Sequence, residues 1–237
     1  MTLPIVATPK YEITIPSTGQ KVEYRPFLVK EEKILLLASE TKNDREQVRA
    51  MKEAIKSCTF EKVDVEKLAP FDIEYLFLKL RAKSVGESVE VSINCEDGCK
   101  ENVKLNINLD DVEVKFNPLF SNRIQLSDSV GVLMRYPSYD DMIKLNDAQK
   151  SQDPNLIMEF IGSCIDTIFD KKEVYKASEY SKKDVVEFLE QLSQISLKKV
   201  MNFFEYMPTV EKTVKYSCCG TEKEVTLKGA QSFFPSA

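Results

Sequence analysis

Four cysteines are the residues whose types and spacing could do chemistry. Cys95 and Cys99 bracket the turn of one expected β-hairpin, and Cys218 and Cys219 stand at the turn of another. Two hairpins that each offer two thiolates can meet around one tetrahedral zinc, and four protein ligands would make that ion structural, with no open position for catalysis. The spacing departs from a zinc-ribbon knuckle, which has two residues between its cysteines: Cys218 and Cys219 are adjacent, and the first pair is wider than the knuckle. The alternative is a pair of ordinary turns carrying reduced thiols. Cys58 and Cys164 fall on apolar helical stripes and read as core thiols.

Other reactive constellations are sparse. The chain has no histidine, which excludes Ser-His-Asp and Cys-His machinery and every His-ligated metal. Its seven glycines form neither of the common phosphate-cradling patterns. Asp110–Asp111 and Asp140–Asp141 are acidic pairs, and two carboxylates across a cleft can hydrolyse a glycosidic bond. Adjacent acids in loops and helix starts are more often solvated or capping groups. At the chain end, Phe233 and Phe234 could anchor a partner protein or dock on their own domain.

The element that must position these groups is a helix over residues 70–86. Phe71, Ile73, Tyr75, Leu76, Phe77, Leu78 and Leu80 project around most of its circumference, so other elements should wrap it, and an aspartate at Tyr75 or Leu76 should prevent folding. Pro70 suits its first turn, Asp72 and Glu74 its positive end, Lys79, Arg81 and Lys83 its negative end, and Gly86 its stop. An alternating strand then leads to Cys95 and Cys99, with a return strand through Val103, Leu105, Ile107 and Leu109.

Before that helix, a hairpin is expected over residues 11–25, then a helix whose run Ile34 to Leu37 covers more than one face and should be buried. A further helix carries Val48, Met51, Ile55 and Cys58. After it come short strands around residues 112–136, a helix from Pro137, one helix over residues 155–169 bearing Cys164, a Ser181-capped helix, another through Phe203 and Phe204, and the second cysteine hairpin. The fold class is α+β, in two closely joined parts, 1–116 and 117–237. The two cysteine hairpins echo each other weakly, and no longer repeat is apparent.

With 237 residues, 43% of them hydrophobic and 30% charged, the chain can bury a core without staples and is not of disordered composition. A net charge of −5 argues against a nucleic-acid partner. No stretch reads as a secretory signal or a membrane span, so no membrane role is expected and the cysteines should meet a reducing cytosol.

Residues 25–40 (Arg25-Pro-Phe-Leu-Val-Lys-Glu onward), residues 71–86, the first cysteine hairpin and the late Cys-Gly hairpin ending in Gly229-Ala-Gln-Ser-Phe-Phe together resemble the baseplate hub family of T-even-type bacteriophages. The likeness covers most of the chain and is strongest in the two N-terminal blocks. It implies a structural or assembly role in the tail, no catalytic residues, other hub proteins as partners with homo-oligomerisation as a further option, and a place in the host cytoplasm during assembly or in the virion baseplate. The family's late hairpin is C-x-x-C-G, from which Cys218-Cys219-Gly220 departs. The rival classes are a carboxylate-dependent tail hydrolase and a zinc-ribbon adaptor that binds nucleic acid.

Overall fold

The computed structural model describes residues 6–41, 43–94, 102–151 and 153–233. In chain order these form β1 (Tyr11–Thr14), β2 (Lys21–Tyr24), α1 (Val29–Glu40), α2 (Asp44–Cys58), α3 (Pro70–Ser84), β3 (Ser88–Asn94), β4 (Asn102–Asn108) and β5 (Glu113–Lys115). Then follow β6 (Arg123–Gln125), β7 (Gly131–Met134), α4 (Tyr139–Ser151), α5 (Pro154–Ser163), β8 (Ile165–Phe169), β9 (Val174–Lys176), α6 (Lys182–Glu190), α7 (Gln194–Glu205), β10 (Thr209–Cys218) and β11 (Thr221–Lys228). Every strand pairing is antiparallel, in sheets ordered β1-β2, β3-β4, β11-β10-β5 and β6-β7-β8-β9, so the fold is mixed α+β. No described helix is long and apolar enough to cross a membrane.

The chain divides into two units, Met1–Lys115 with Thr209–Ala237, and Phe116–Pro208. The expected division placed everything after residue 116 in one part. Instead the second cysteine hairpin returns to the first unit, because Thr209, Val210 and Glu211 of β10 pair with Lys115, Val114 and Glu113 of β5.

In the first unit α3 is the central element, as its sequence requires. Ile73, Leu76, Leu78 and Leu80 are almost wholly buried, along with Phe71 and Phe77. The polar residues between them each reach a neighbouring segment. The buried Asp72 carboxylate accepts from Ala69 N–H at 3.1 Å and from Ser17 N–H at 2.9 Å, which satisfies a donor at the helix start and holds the β1–β2 turn. Glu74 accepts from Ala230 N–H, Lys79 donates to the Leu109 and Asp110 carbonyls, and the Ser84 hydroxyl accepts from Phe27 N–H. A helix with few solvated positions thus has its polar groups paired, as burial demands.

Two expectations fail here for identifiable reasons. The Ile34–Leu37 run of α1 is not buried: Leu36 is 61% and Leu37 55% exposed, and Glu31 is the residue that α1 buries. The helix expected over 155–169 ends at Ser163, and residues 165–169 form a strand. Ile165, Thr167 and Ile168 are β-branched and pair with β7 on one side and, over residues 167–169, with β9 on the other, so pairing overrides an apolar spacing compatible with a helix. Cys164 is buried in the second unit's core, beside Ile161, Ile165, Val185, Leu189, Val200 and Phe203. Gly131 is required there, since a Cβ at that position would run into the Phe169 ring and the Ile124 carbonyl.

Candidate functional site

The chemistry-bearing groups singled out in the sequence are dispersed or structurally engaged. Cys95 and Cys99 lie outside the described residues. Cys218 pairs across the hairpin with Thr221, leaving Cys219 and Gly220 as a two-residue loop with φ of 55° and 74°. Positive φ at both loop positions is the geometry of a type I′ turn, which matches strand twist. This explains the adjacent cysteines: Cys218 ends its strand buried and Cys219 occupies the exposed turn. Their sulfurs are 3.7 Å apart, close to the ~3.8 Å between two ligands on one tetrahedral zinc with ~2.3 Å Zn–S bonds. Among the described residues no group of three or more potential ligands gathers around a common point. Metal analysis of protein purified without chelator decides the matter: about one zinc per chain is the outcome for a four-thiolate site, and none for free thiols.

Asp110 is ion-paired to Lys83 at 2.6 Å, Asp111 lies 3.6 Å from Lys212, and Asp141 serves as a helix-start acceptor. Phe233 has no exposed surface, so it is a core residue of its own unit and not an accessible anchor. Deleting residues 231–237 would therefore remove core packing as well as any contact; Phe234 lies outside the described residues. Burial pushes the Cys58 thiol up to about 11 and the Cys164 thiol up to about 12, leaving both as neutral thiols unsuited to nucleophilic work.

What the structure does assemble is a clamp between β2, α1 and α2. Arg25 follows β2, and its Nη2 donates to Glu31 Oε1 at 2.9 Å while its Nη1 donates to Oε2 at 3.3 Å and to the Pro26 carbonyl. Glu31 also accepts from Leu28 N–H at 2.8 Å and from the Ser57 hydroxyl at 2.7 Å. Arg25 N–H in turn donates to the Cys58 carbonyl at the end of α2. Both charged side chains are more than nine-tenths buried. Burial alone would raise the Glu31 carboxyl, but the Arg25, Ser57 and Leu28 donors overcome it and bring it down to about 2. A carboxylate so held is ionised at neutral pH and cannot act as a general acid. Beside it lies a shallow groove of ≈ 120 Å³ lined by Ile34, Ala50 and Ala54, among others.

The second unit repeats the arrangement. Arg135 follows β7, donates to Asp141 at 3.3 Å and to the Tyr136 carbonyl, and its N–H donates to the carbonyl of Cys164 where α5 ends. Asp141 accepts from Ser138 N–H as Glu31 does from Leu28, and Arg135, Ser138 and Asp141 stand at the same spacings as Arg25, Leu28 and Glu31. Each unit therefore contains a hairpin, an arginine, a helix whose first turn supplies a carboxylate, and a second helix ending at a buried cysteine. The sequence reading found no such repeat. Its signal was the Arg-x-x-x-x-x-acid spacing after a strand with a cysteine at the close of the following helix pair, too sparse to separate from background without the hydrogen bonds.

The clamp fixes α1 with Glu31 inward, and Val29, Leu36 and Leu37 consequently face solvent. These three side chains make an exposed apolar strip on one side of a short helix.

A family model described as T4 bacteriophage base plate protein matches residues 8–235. The chain belongs to that family. It is thus a phage baseplate protein, with a place in the virion tail and other baseplate proteins as its partners. The match takes in both clamps, so the family's extent is that of the whole repeat and not of one unit. No curated protein and no solved structure matches the chain.

Proposed function

We propose that this baseplate-family protein is a structural or assembly component of the hub, acting in the host cytoplasm through protein–protein contacts while the tail is built. The observation that carries this reading is the extent of the family match, residues 8–235, which takes in both units. The chemistry supports it as well. Asp110, Asp111 and Asp141 are engaged in ion pairs, and the Cys58 and Cys164 thiols are held neutral, whereas the outward side of α1 offers the apolar surface that interfaces use.

The test is capture of the tagged full-length chain from infected cells. Hub subunits should co-purify with it, and cells infected by phage lacking the protein should accumulate incomplete baseplates. Complete baseplates formed in its absence, together with failure to capture any hub subunit, would overturn the assignment.

A further inference from the structure

We propose that the outward face of α1 is a self-association surface, on which two copies of this chain pair antiparallel about a two-fold axis. Val29, Lys33, Leu36, Leu37 and Glu40 fall within an arc of about 100° on the side of the helix opposite Glu31, at ~100° per residue. Val29 is 80%, Leu36 61% and Leu37 55% exposed. Lys33 and Glu40 are exposed too, and neither has an ion-pair partner among the described residues.

The repeat supplies an internal control on whether the fold needs leucines here. Counting from the clamp carboxylate, the positions of Leu36 and Leu37 in α1 correspond to Asn146 and Asp147 in α4, both exposed. The same strand–clamp–helix arrangement therefore tolerates an amide and a carboxylate at these places. Packing within the chain does not account for the apolar pair in α1, so contact with another molecule does.

The charge pattern says which molecule. Lys33 precedes Leu36 by the same interval at which Glu40 follows Leu37, so the face reads cation, leucine, leucine, anion about a central point. Turning a second copy about a two-fold axis through that point sets Leu36 of each copy against Leu37 of the other, and Lys33 of each against Glu40 of the other. A self-complementary patch of this kind is what an isologous interface requires. Two antiparallel helices also oppose their dipoles favourably. The buried area of one helix pair falls well below the ~1,600 Å² of a standard complex, so a weak dimer is expected, with a dissociation constant on the order of 10 µM. The inference does not depend on the hub assignment, because it concerns the purified chain alone.

Sedimentation equilibrium of the full-length protein at low ionic strength tests it. The expected result is a reversible monomer–dimer equilibrium. Lys33→Glu and Glu40→Lys should each weaken it about tenfold, since either change turns both cross-pairs repulsive. The double variant should regain dimerisation, and an equimolar mixture of the two single variants should form a heterodimer. Leu36→Asp should leave a folded monomer, checked by circular dichroism. A chain that stays monomeric at every concentration overturns the proposal, as does a dimer indifferent to the single reversals or one that the double reversal fails to restore.

Discussion

Leu76→Asp is expected to yield no soluble folded protein. Leu76 is 1% exposed in the middle of α3, with Ile73, Leu78 and Leu80 nearby on a helix wrapped by other elements. Losing the leucine side chain from such a site costs about 2–5 kcal/mol through transfer and cavity effects. The carboxylate then adds several kcal/mol, on the order of the penalty for an unpaired buried charge. Together these match the whole stability of a domain, about 5–15 kcal/mol. Expression at low temperature followed by a urea melt of any soluble fraction checks the result, and a normal transition would mean that α3 is not central. Tyr75→Asp, which the sequence suggests should be equally severe, has a different setting. Tyr75 is half-buried and the Lys79 ammonium lies 5.2 Å from its ring centroid, so a carboxylate there could meet a cation.

That contrast marks how much could be read in advance. The limits of α3 were legible because proline, the acidic first turn, the basic last turn and glycine agree with one another, and its burial was legible from the density of apolar residues. The same density argument failed for α1. There Leu36 and Leu37 face solvent and Leu35 is only half-buried, because the inward position in the first turn is Glu31, whose burial is made tolerable by an arginine six residues earlier. A buried ion pair cannot be recognised from residue type alone, since both members belong to classes that are ordinarily exposed. The zinc expectation rests on two thiols at each of two hairpin turns. The hairpin turn, with Cys219 at positive φ, supplies a backbone reason for where the late pair sits. The division into units was missed because strand pairing between β5 and β10 joins segments that a linear reading assigns to different parts.

The clamp gives the second large effect, and its sign can be worked out. Glu31 has an ordinary carboxyl value of 4.5 and is brought down to about 2 in the folded protein. A depressed folded value means that the ionised form stabilises the native state. That contribution is complete above about pH 4.5 and is lost as the pH falls towards about 2, because protons then bind the unfolded chain first. The shift corresponds to about 3 kcal/mol. Glu31→Gln keeps the shape but leaves the Arg25 guanidinium buried against a neutral amide, so the variant should be about 3–4 kcal/mol less stable at pH 7. The gap between wild type and variant should narrow steadily below pH 4.5. Comparing the two proteins at each pH is necessary, since burial raises the Asp72 and Glu74 carboxyls and gives them the opposite dependence, which cancels in the difference. Asp141→Asn tests the same logic in the second clamp. Its Arg135 side chain is 43% exposed, against 9% for Arg25, so solvent screens the pair and the expected loss is about 1 kcal/mol. Urea melts of the three proteins between pH 7 and pH 3 measure both effects. A Glu31→Gln deficit that stays constant across that range would show that the clamp holds α1 by shape and hydrogen bonds rather than by charge.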